Sequence, residues 1–237
     1  GAKMKLKGKQ VLITGATGGI GRALSFEFAS KGCKIALTGR NLPKLKGLQR
    51  DLIAKYKSLD VAYYCADLSS DKELFGVIER FSSADILINN AGMFPMKSLL
   101  DSTLRDFDEC MAINVRAPFV LSHYFGSAMR EKKWGRIVNI GSSSAYYGNG
   151  ATGIYCTSKH ALLGLSRSLY QELRDSGVRV YNISPGSAQT SMGKTDVKQD
   201  FKTFIKPQEI AEYISFIVSY DKEMISEEVR LNRIVVK

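Results

Sequence analysis

Gln10-Val11-Leu12-Ile13-Thr14-Gly15-Ala16-Thr17-Gly18-Gly19-Ile20-Gly21-Arg22-Ala23-Leu24 opens as an apolar run, breaks at a cluster of glycines and resumes as an amphipathic stretch. The run is predicted to be a strand, Gln10–Thr14, and the stretch a helix, Ile20–Lys31. Between them Gly15 permits a tight turn, Gly19 lets the backbone come close to a pyrophosphate, and Gly21 lets the helix settle against the strand. Thr17, Gly18 and Ile20 complete the loop, and the unpaired N–H groups at the helix start suit phosphate charge. Glycine turns are common, so the glycines alone say little. Their place, directly after a first buried strand and directly before a helix, marks a dinucleotide-binding loop.

Outward from this loop the same alternation repeats. Strands are predicted at Lys34–Thr38, Val61–Ala66, Ile86–Asn89, Arg136–Ile140 and Arg179–Ile183, each apolar almost throughout, as strands buried on both faces are. A seventh, Val229–Ile234, mixes Arg and Asn into the apolar residues and suits a sheet edge. Helical patterns lie near Pro43–Tyr56, Lys72–Arg80, Thr103–Glu131, Ile154–Ser176 and Pro207–Ser219. The series predicts an α/β fold: a doubly wound, mostly parallel seven-stranded sheet with helices on both faces. With 237 residues and no repeat, low-complexity linker or break in composition, the chain reads as one domain, 1–237.

Composition excludes several classes. Hydrophobic residues make up 44% and charged residues 24%, as in globular proteins and unlike disordered or membrane chains. No stretch approaches the roughly 18 apolar residues that span a bilayer, and the basic start lacks a following apolar region. The residues before Met4 carry no structural weight, and a cytoplasmic protein without a membrane partner is expected. Cys33, Cys65, Cys110 and Cys156 are scattered, which suits reduced thiols rather than a zinc site. His123 and His160 are too few for a histidine metal centre. A net charge of +11 would attract nucleic acid, an acidic surface or an anionic small molecule alike. Its densest cluster, Lys3, Lys5, Lys7 and Lys9, reads as a solvated tail, and no basic module interleaved with aromatics is present, so no nucleic-acid partner is expected.

The glycine spacing, G-x-x-x-G-x-G, resembles that of the classical short-chain dehydrogenase/reductase family, and further motifs agree in order. Asp67-Leu68 follows the third strand, Asn89-Asn90-Ala91-Gly92 closes the fourth, Tyr155-x-x-x-Lys159 opens the long helix after the fifth, and Pro185-Gly186 follows the sixth. The match runs from Thr14 to about Thr190 and is closest in pattern to the 3-oxoacyl-[acyl-carrier-protein] reductases. The resemblance implies a Rossmann fold in which Asp67 and Leu68 meet the adenine, Asn90, Ala91 and Gly92 border it, and Pro185, Gly186 and Thr190 approach the nicotinamide. Taken alone, Asp67 and Asn90 would read as turn caps.

Cofactor choice turns on Thr38-Gly39-Arg40-Asn41, where an acid would accept the ribose hydroxyls of NAD. Gly39 removes that acid and Arg40 can pair with a 2′-phosphate, so NADP(H) is favoured. Gly18 stands where some NADP-preferring relatives carry a basic residue, and NAD(H) stays open.

A nicotinamide supplies hydride but not the proton that a carbonyl oxygen needs. Tyr155 and Lys159, four residues apart on a predicted helix, share a face. Bringing a phenol from its usual pKa of about 10 to a useful acid or base near neutrality takes on the order of 3–4 kcal/mol, which a neighbouring ammonium would help supply. The resemblance adds that Lys159 also bonds the nicotinamide ribose. Ser142, thirteen residues before Tyr155 in Gly141-Ser142-Ser143-Ser144, has the family spacing of the carbonyl-polarising serine. Ser143 and Ser144 compete by type and differ only in spacing. Asn114 matches the family asparagine that holds a proton-relay water.

The expected substrate is a small-molecule carbonyl or alcohol meeting Tyr155, Ser142, the Met93–Met96 loop, Tyr146–Tyr147 and the segment after Gly186. That segment is shorter than in the 3-oxoacyl reductases, and Val229–Lys237 lacks the family's glycine-containing ending, which questions a tight lid. Three readings follow: an NADPH-dependent ketone or 3-oxoacyl reductase, an NAD(P)-dependent alcohol or sugar dehydrogenase working oxidatively, and a non-catalytic dinucleotide-binding scaffold. A homodimer or homotetramer is implied by resemblance, with Ala161-Leu162-Leu163-Gly164-Leu165 as surplus apolar surface.

Overall fold

The computed structural model describes residues 6–195 and 199–234, so Lys3 and Lys5 of the basic cluster and the last three residues of the tail lie outside the described residues. Strands β1 (Gln10–Ile13), β2 (Lys34–Gly39), β3 (Val61–Cys65), β4 (Ile86–Asn89), β5 (Gly135–Ile140), β6 (Val178–Pro185) and β7 (Glu228–Leu231) form one sheet in the order β3-β2-β1-β4-β5-β6-β7. Every pairing among them is parallel. The order reverses between β1 and β4, and at such a switch point a crevice opens beyond the carboxyl ends of the strands.

Each central strand buries both faces because its side chains alternate between two cores. Val11 and Ile13 of β1 face α1 (Gly19–Ser30), α2 (Leu42–Lys55) and α7 (Pro207–Ser219), where they meet Leu24, Phe28, Leu48 and Ile214. Leu12 faces the opposite core with Leu74 and Val77 of α3 (Asp71–Arg80), Leu121 and Phe125 of α5 (Ala117–Glu131) and Leu173 of α6 (Gly153–Leu173). Helix starts follow their cap residues: Asn41 accepts from Lys44 N–H with Pro43 in the first turn of α2, and Ser70 accepts from Glu73 N–H at α3. Among the described residues no helix is long and apolar enough to cross a membrane.

Two elements differ from the sequence reading. Strand β3 was expected to be buried on both faces but forms an edge, and only its Val61 is fully buried. Its Tyr63 and Tyr64 carry enough apolar surface to mimic a central strand in sequence. The helix expected over Thr103–Glu131 is α4 (Leu104–Met111), a π-helical turn at Ala112–Arg116 and α5. Pro118 explains the interruption: it has no N–H to give the Asn114 carbonyl four residues back, so the ladder widens, with Ala117 N–H bonding the Ala112 carbonyl.

Candidate active site

The crevice is a cavity of about 720 Å³, and every cofactor-binding and catalytic residue expected from the sequence lines it except Gly21 and Asn114; of the Met93–Met96 loop only Phe94 does. Gly21 works from behind. A side chain there would meet the Gly15 carbonyl at 2.2 Å, so the glycine is what lets α1 close on the turn. Gly15 has φ +59°, in the left-handed region, and a Cβ on it would also strike the Ala91 backbone at 2.8 Å. Asn90 stitches the two loops together, its amide donating to the carbonyls of Thr14 (3.0 Å) and Gly15 (3.1 Å). The Asn90 side chain is thus spent on the glycine loop, and its contribution to the cavity wall is its remaining surface. The start of α1 has neither a side-chain cap nor an acid in its first turn, which leaves its N–H groups and positive dipole end to an anion.

At the end of β2 the backbone does not require glycine. A Cβ on Gly39 would lie 3.7 Å from Thr17 Oγ1 and 3.9 Å from Leu45, ordinary contact distances. The missing carboxylate is therefore an electrostatic feature of the site and not a steric necessity. Arg40 lines the cavity here, and so does Lys44, a cation the motif reading did not name although it stands in the first turn of α2. Asp67 accepts from Ser69 N–H (3.0 Å) and Ser69 Oγ (2.8 Å). The backbone N–H of Ser69 is the main reason its carboxyl lies below the usual range, and Arg40 adds to it. These features, a side-chain-free cradle facing uncapped N–H groups and paired cations with no acid at Gly39, fit NADP.

The other end gathers the reactive groups at the carboxyl ends of β4, β5 and β6. Ser142 Oγ accepts from Ser144 N–H (3.1 Å), which leaves its own proton to give. Its hydroxyl bonds Tyr155, and that bond pulls the phenol's pKa down, but burial outweighs it and pushes the phenol up to about 12. Lys159, 6% exposed, is brought by burial to about 8. The ammonium was expected to act on the phenol. It stands 5.6 Å from the Tyr155 ring centre and donates to the Ile140 carbonyl (2.8 Å), so the protein groups themselves leave Tyr155 a firmly protonated acid.

Asn114 sits one layer back, on the π turn. Its Oδ1 accepts from Met93 N–H (2.8 Å), and its Nδ2 donates to the Met93 carbonyl (3.0 Å) and Ser158 Oγ (3.0 Å). Ser158 Oγ in turn donates to the Tyr155 carbonyl (2.8 Å). Gly92 lies between Asn114 and Lys159: a Cβ there would be 3.5 Å from Asn114 Oδ1 and 4.0 Å from Lys159 Nζ.

On the substrate side Phe94 meets the Tyr155 ring edge-to-face, centres 4.6 Å apart, and Tyr147 joins the wall. Tyr146 does not line the cavity. Its hydroxyl donates to Glu228 of β7 (3.0 Å), which also takes a forked bond from Arg167, and its ring lies under Arg230. The segment after Gly186 does supply wall, with Ala188, Thr190, Met192, Gln199 and Phe204. A parallel bridge, Ala188 to Ile205, closes its base, and the tail reaches it: Arg233 bonds Thr203 and Gln199 and stacks on Phe204 at 4.9 Å. Sequence reading also missed Asn149 and Thr152 at the cavity, which carry no motif.

A family model described as short chain dehydrogenase matches residues 9–200. An uncharacterized oxidoreductase of Thermotoga maritima is 38% identical over 189 residues, covering 79% of this chain and 74% of its own length. The 3-oxoacyl-[acyl-carrier-protein] reductase of Aquifex aeolicus is 32% identical over 239 residues, covering 96% of each. A metagenomic short-chain oxidoreductase solved in complex with NADP superposes with a TM-score of 0.84 at 29% identity, over 98% of this chain and 100% of the other.

Proposed function

The chain belongs to the short-chain dehydrogenase/reductase family as an NAD(P)-dependent oxidoreductase, and we propose that it uses NADPH to reduce a ketone or 3-oxoacyl carbonyl. The observation that carries this reading is the hydroxyl pair Ser142–Tyr155 in one cavity with Arg40 and Lys44.

When bound, the nicotinamide supplies the hydride that reaches the carbonyl carbon. Ser142 donates to the carbonyl oxygen and stabilises the negative charge that develops there. Tyr155 transfers its proton to that oxygen, completing the alcohol, and the phenolate left behind is stabilised by the Ser142 hydroxyl and the Lys159 charge. Tyr155 must then regain a proton, and Lys159, whose pKa burial brings to about 8, is the cavity group suited to pass one on. Its own resupply runs past Gly92 toward Asn114. Because the Asn114 side chain is spent on Met93 and Ser158, the group it offers a relay water is its backbone carbonyl, which Pro118 leaves without the usual N–H. Gly15, Thr17, Gly18, Gly19 and Ile20 would hold the pyrophosphate, with Gly21 behind them. Arg40 and Lys44 would hold the 2′-phosphate, Asp67, Leu68, Asn90, Ala91 and Gly92 would frame the adenine side, and Pro185, Gly186 and Thr190 would flank the nicotinamide.

The reading takes the chain as one domain acting in the cytoplasm as a homodimer or homotetramer. Support for assembly is the apolar surface left outside: Leu104 and Phe107 of α4, Phe119 of α5, and Leu99 and Leu100 before them are exposed. The run Ala161–Leu165 contributes less than its composition suggests, because Leu162 and Leu163 are buried within the chain.

The test is a titration with NADPH against NADH followed by a carbonyl panel. NADPH is expected to bind at least tenfold more tightly and to be oxidised by ketones. Tyr155→Phe should lower kcat by at least about a hundredfold, the usual scale of general-acid loss, with cofactor affinity retained. Unchanged turnover in that variant would refute the mechanism.

A further inference from the structure

Resting on the reductase reading, we infer that the substrate is an uncharged ketone with aryl or alkyl substituents, and that the site discriminates against keto acids. The exposed charge of the crevice lies at one end; at the other, Lys159 lines it but is 6% exposed and bonded to the Ile140 carbonyl. Arg40, Lys44 and Asp67 come from the ends of β2 and β3, one side of the switch point, whereas Tyr155 and Ser142 belong to the β5 side, several strands away in the order β3-β2-β1-β4-β5-β6-β7. Around Tyr155 the described wall is aromatic and thioether, from Phe94, Tyr147, Met192 and Phe204, with the neutral amides of Asn149 and Gln199.

The cations nearest this wall are already engaged. Lys159 is bonded to the Ile140 carbonyl, Arg167 is forked onto Glu228, Lys194 lies over the Phe201 ring, and Arg233 holds Thr203 and Gln199 from behind Phe204. A substrate carboxylate entering here would give up its water among rings and amides, and among the described residues that line this end only the buried Lys159 carries positive charge. An unpaired buried charge is strongly disfavoured. A ketone bearing an ester, thioester, aryl or alkyl group meets no such penalty, and its flat faces match Phe94 and Tyr147. The Asn149 amide N–H can donate one hydrogen bond to a neutral polar atom, which orients such a substrate without demanding charge.

The inference is tested with pairs of ketones that share the reacting carbonyl and differ remotely in charge, such as methyl 4-acetylbenzoate and 4-acetylbenzoate, taken across an aryl and alkyl ketone panel with NADPH. The neutral member of each pair is expected to show a kcat/KM at least about a hundredfold above that of its acid. Met192→Lys, which carries an ammonium to the same wall on a side chain of similar length, should narrow that ratio at least tenfold by raising the acid's kcat/KM. Acids reduced within threefold of their esters would overturn the inference while leaving the reductase reading intact. An unmoved ratio in Met192→Lys would overturn the electrostatic account of it. NADPH left unoxidised by every neutral ketone in the panel would overturn the reductase reading and this inference together.

Discussion

Lys159 keeps a charge where water is excluded, and that placement has a measurable cost. Burial lowers its pKa from 10.5 to about 8. Below pH 8 the ammonium is charged in folded and unfolded chains alike, and the folded chain bears the full desolvation penalty. Between about pH 8 and 10.5 the folded chain sheds the proton while the unfolded chain keeps it, so stability rises with pH through that window. Lys159→Met, which fills the same space without charge, should therefore stabilise the protein at pH 7 by up to about 3 kcal/mol, less the cost of orphaning the Ile140 carbonyl. The advantage should shrink by pH 10. Denaturant titrations of both proteins at the two pH values check this, and equal differences at pH 7 and 10 would contradict it. The same substitution removes the charge that stabilises the phenolate, so a more stable protein should be a poorer enzyme.

At the scale of elements, the sheet carries a polar row directly beneath the reactive groups. Asn89, Asn139 and Asn182 occupy matching register positions on β4, β5 and β6. Asn89 Nδ2 donates to Asn139 Oδ1 (2.8 Å), Asn139 Nδ2 donates to Ser166 Oγ of α6 (2.9 Å), and Asn182 Nδ2 donates to Ser184 Oγ (2.8 Å). The row ties β5 to the helix that carries Tyr155 and Lys159. Asn139→Ala would leave the Asn89 amide without its best acceptor and cut the tie to α6, and about 1–3 kcal/mol of stability should be lost. An unchanged denaturation midpoint would show that the row is not holding the helix. None of this row was legible in the sequence, because Asn89 and Asn139 are 50 residues apart and meet only through strand register. The glycine loop and the Tyr155–Lys159 pair were legible because each lies within one local unit, where spacing alone fixes the geometry. The π turn lies between these cases. Pro118 was a local signal for it, but continuous apolar periodicity from α4 into α5 masked the break, as the tyrosines of β3 masked an edge. What the sequence could not reveal about Tyr155 was its pKa direction, since burial depends on the whole cavity and not on the spacing to Lys159.

For the whole molecule, the unresolved physical tension is between a well-filled interior and an apolar exterior on one side. Both cores are closed, yet Leu99, Leu100, Leu104, Phe107 and Phe119 stay exposed, Leu100 at 98%. Exposed apolar residues gathered on consecutive elements mark interaction surfaces, and a helix face of one chain can meet its own copy across a two-fold axis. The same elements frame the π turn, so a partner resting on α4 and α5 would restrain the turn that presents Asn114 and, through Ser158, the Tyr155 backbone. Light scattering on the purified protein should therefore give a dimer or tetramer, and Leu104→Glu combined with Phe119→Glu should shift it to monomer, because two desolvated carboxylates would face their own copies across the contact. Freed of that restraint, the monomer should lose kcat while the KM for NADPH, whose cradle lies across the switch point at β1 and β2, changes little. A monomeric wild-type protein with full activity would rule out the linkage, and equal losses in kcat and cofactor affinity would point to general unfolding instead.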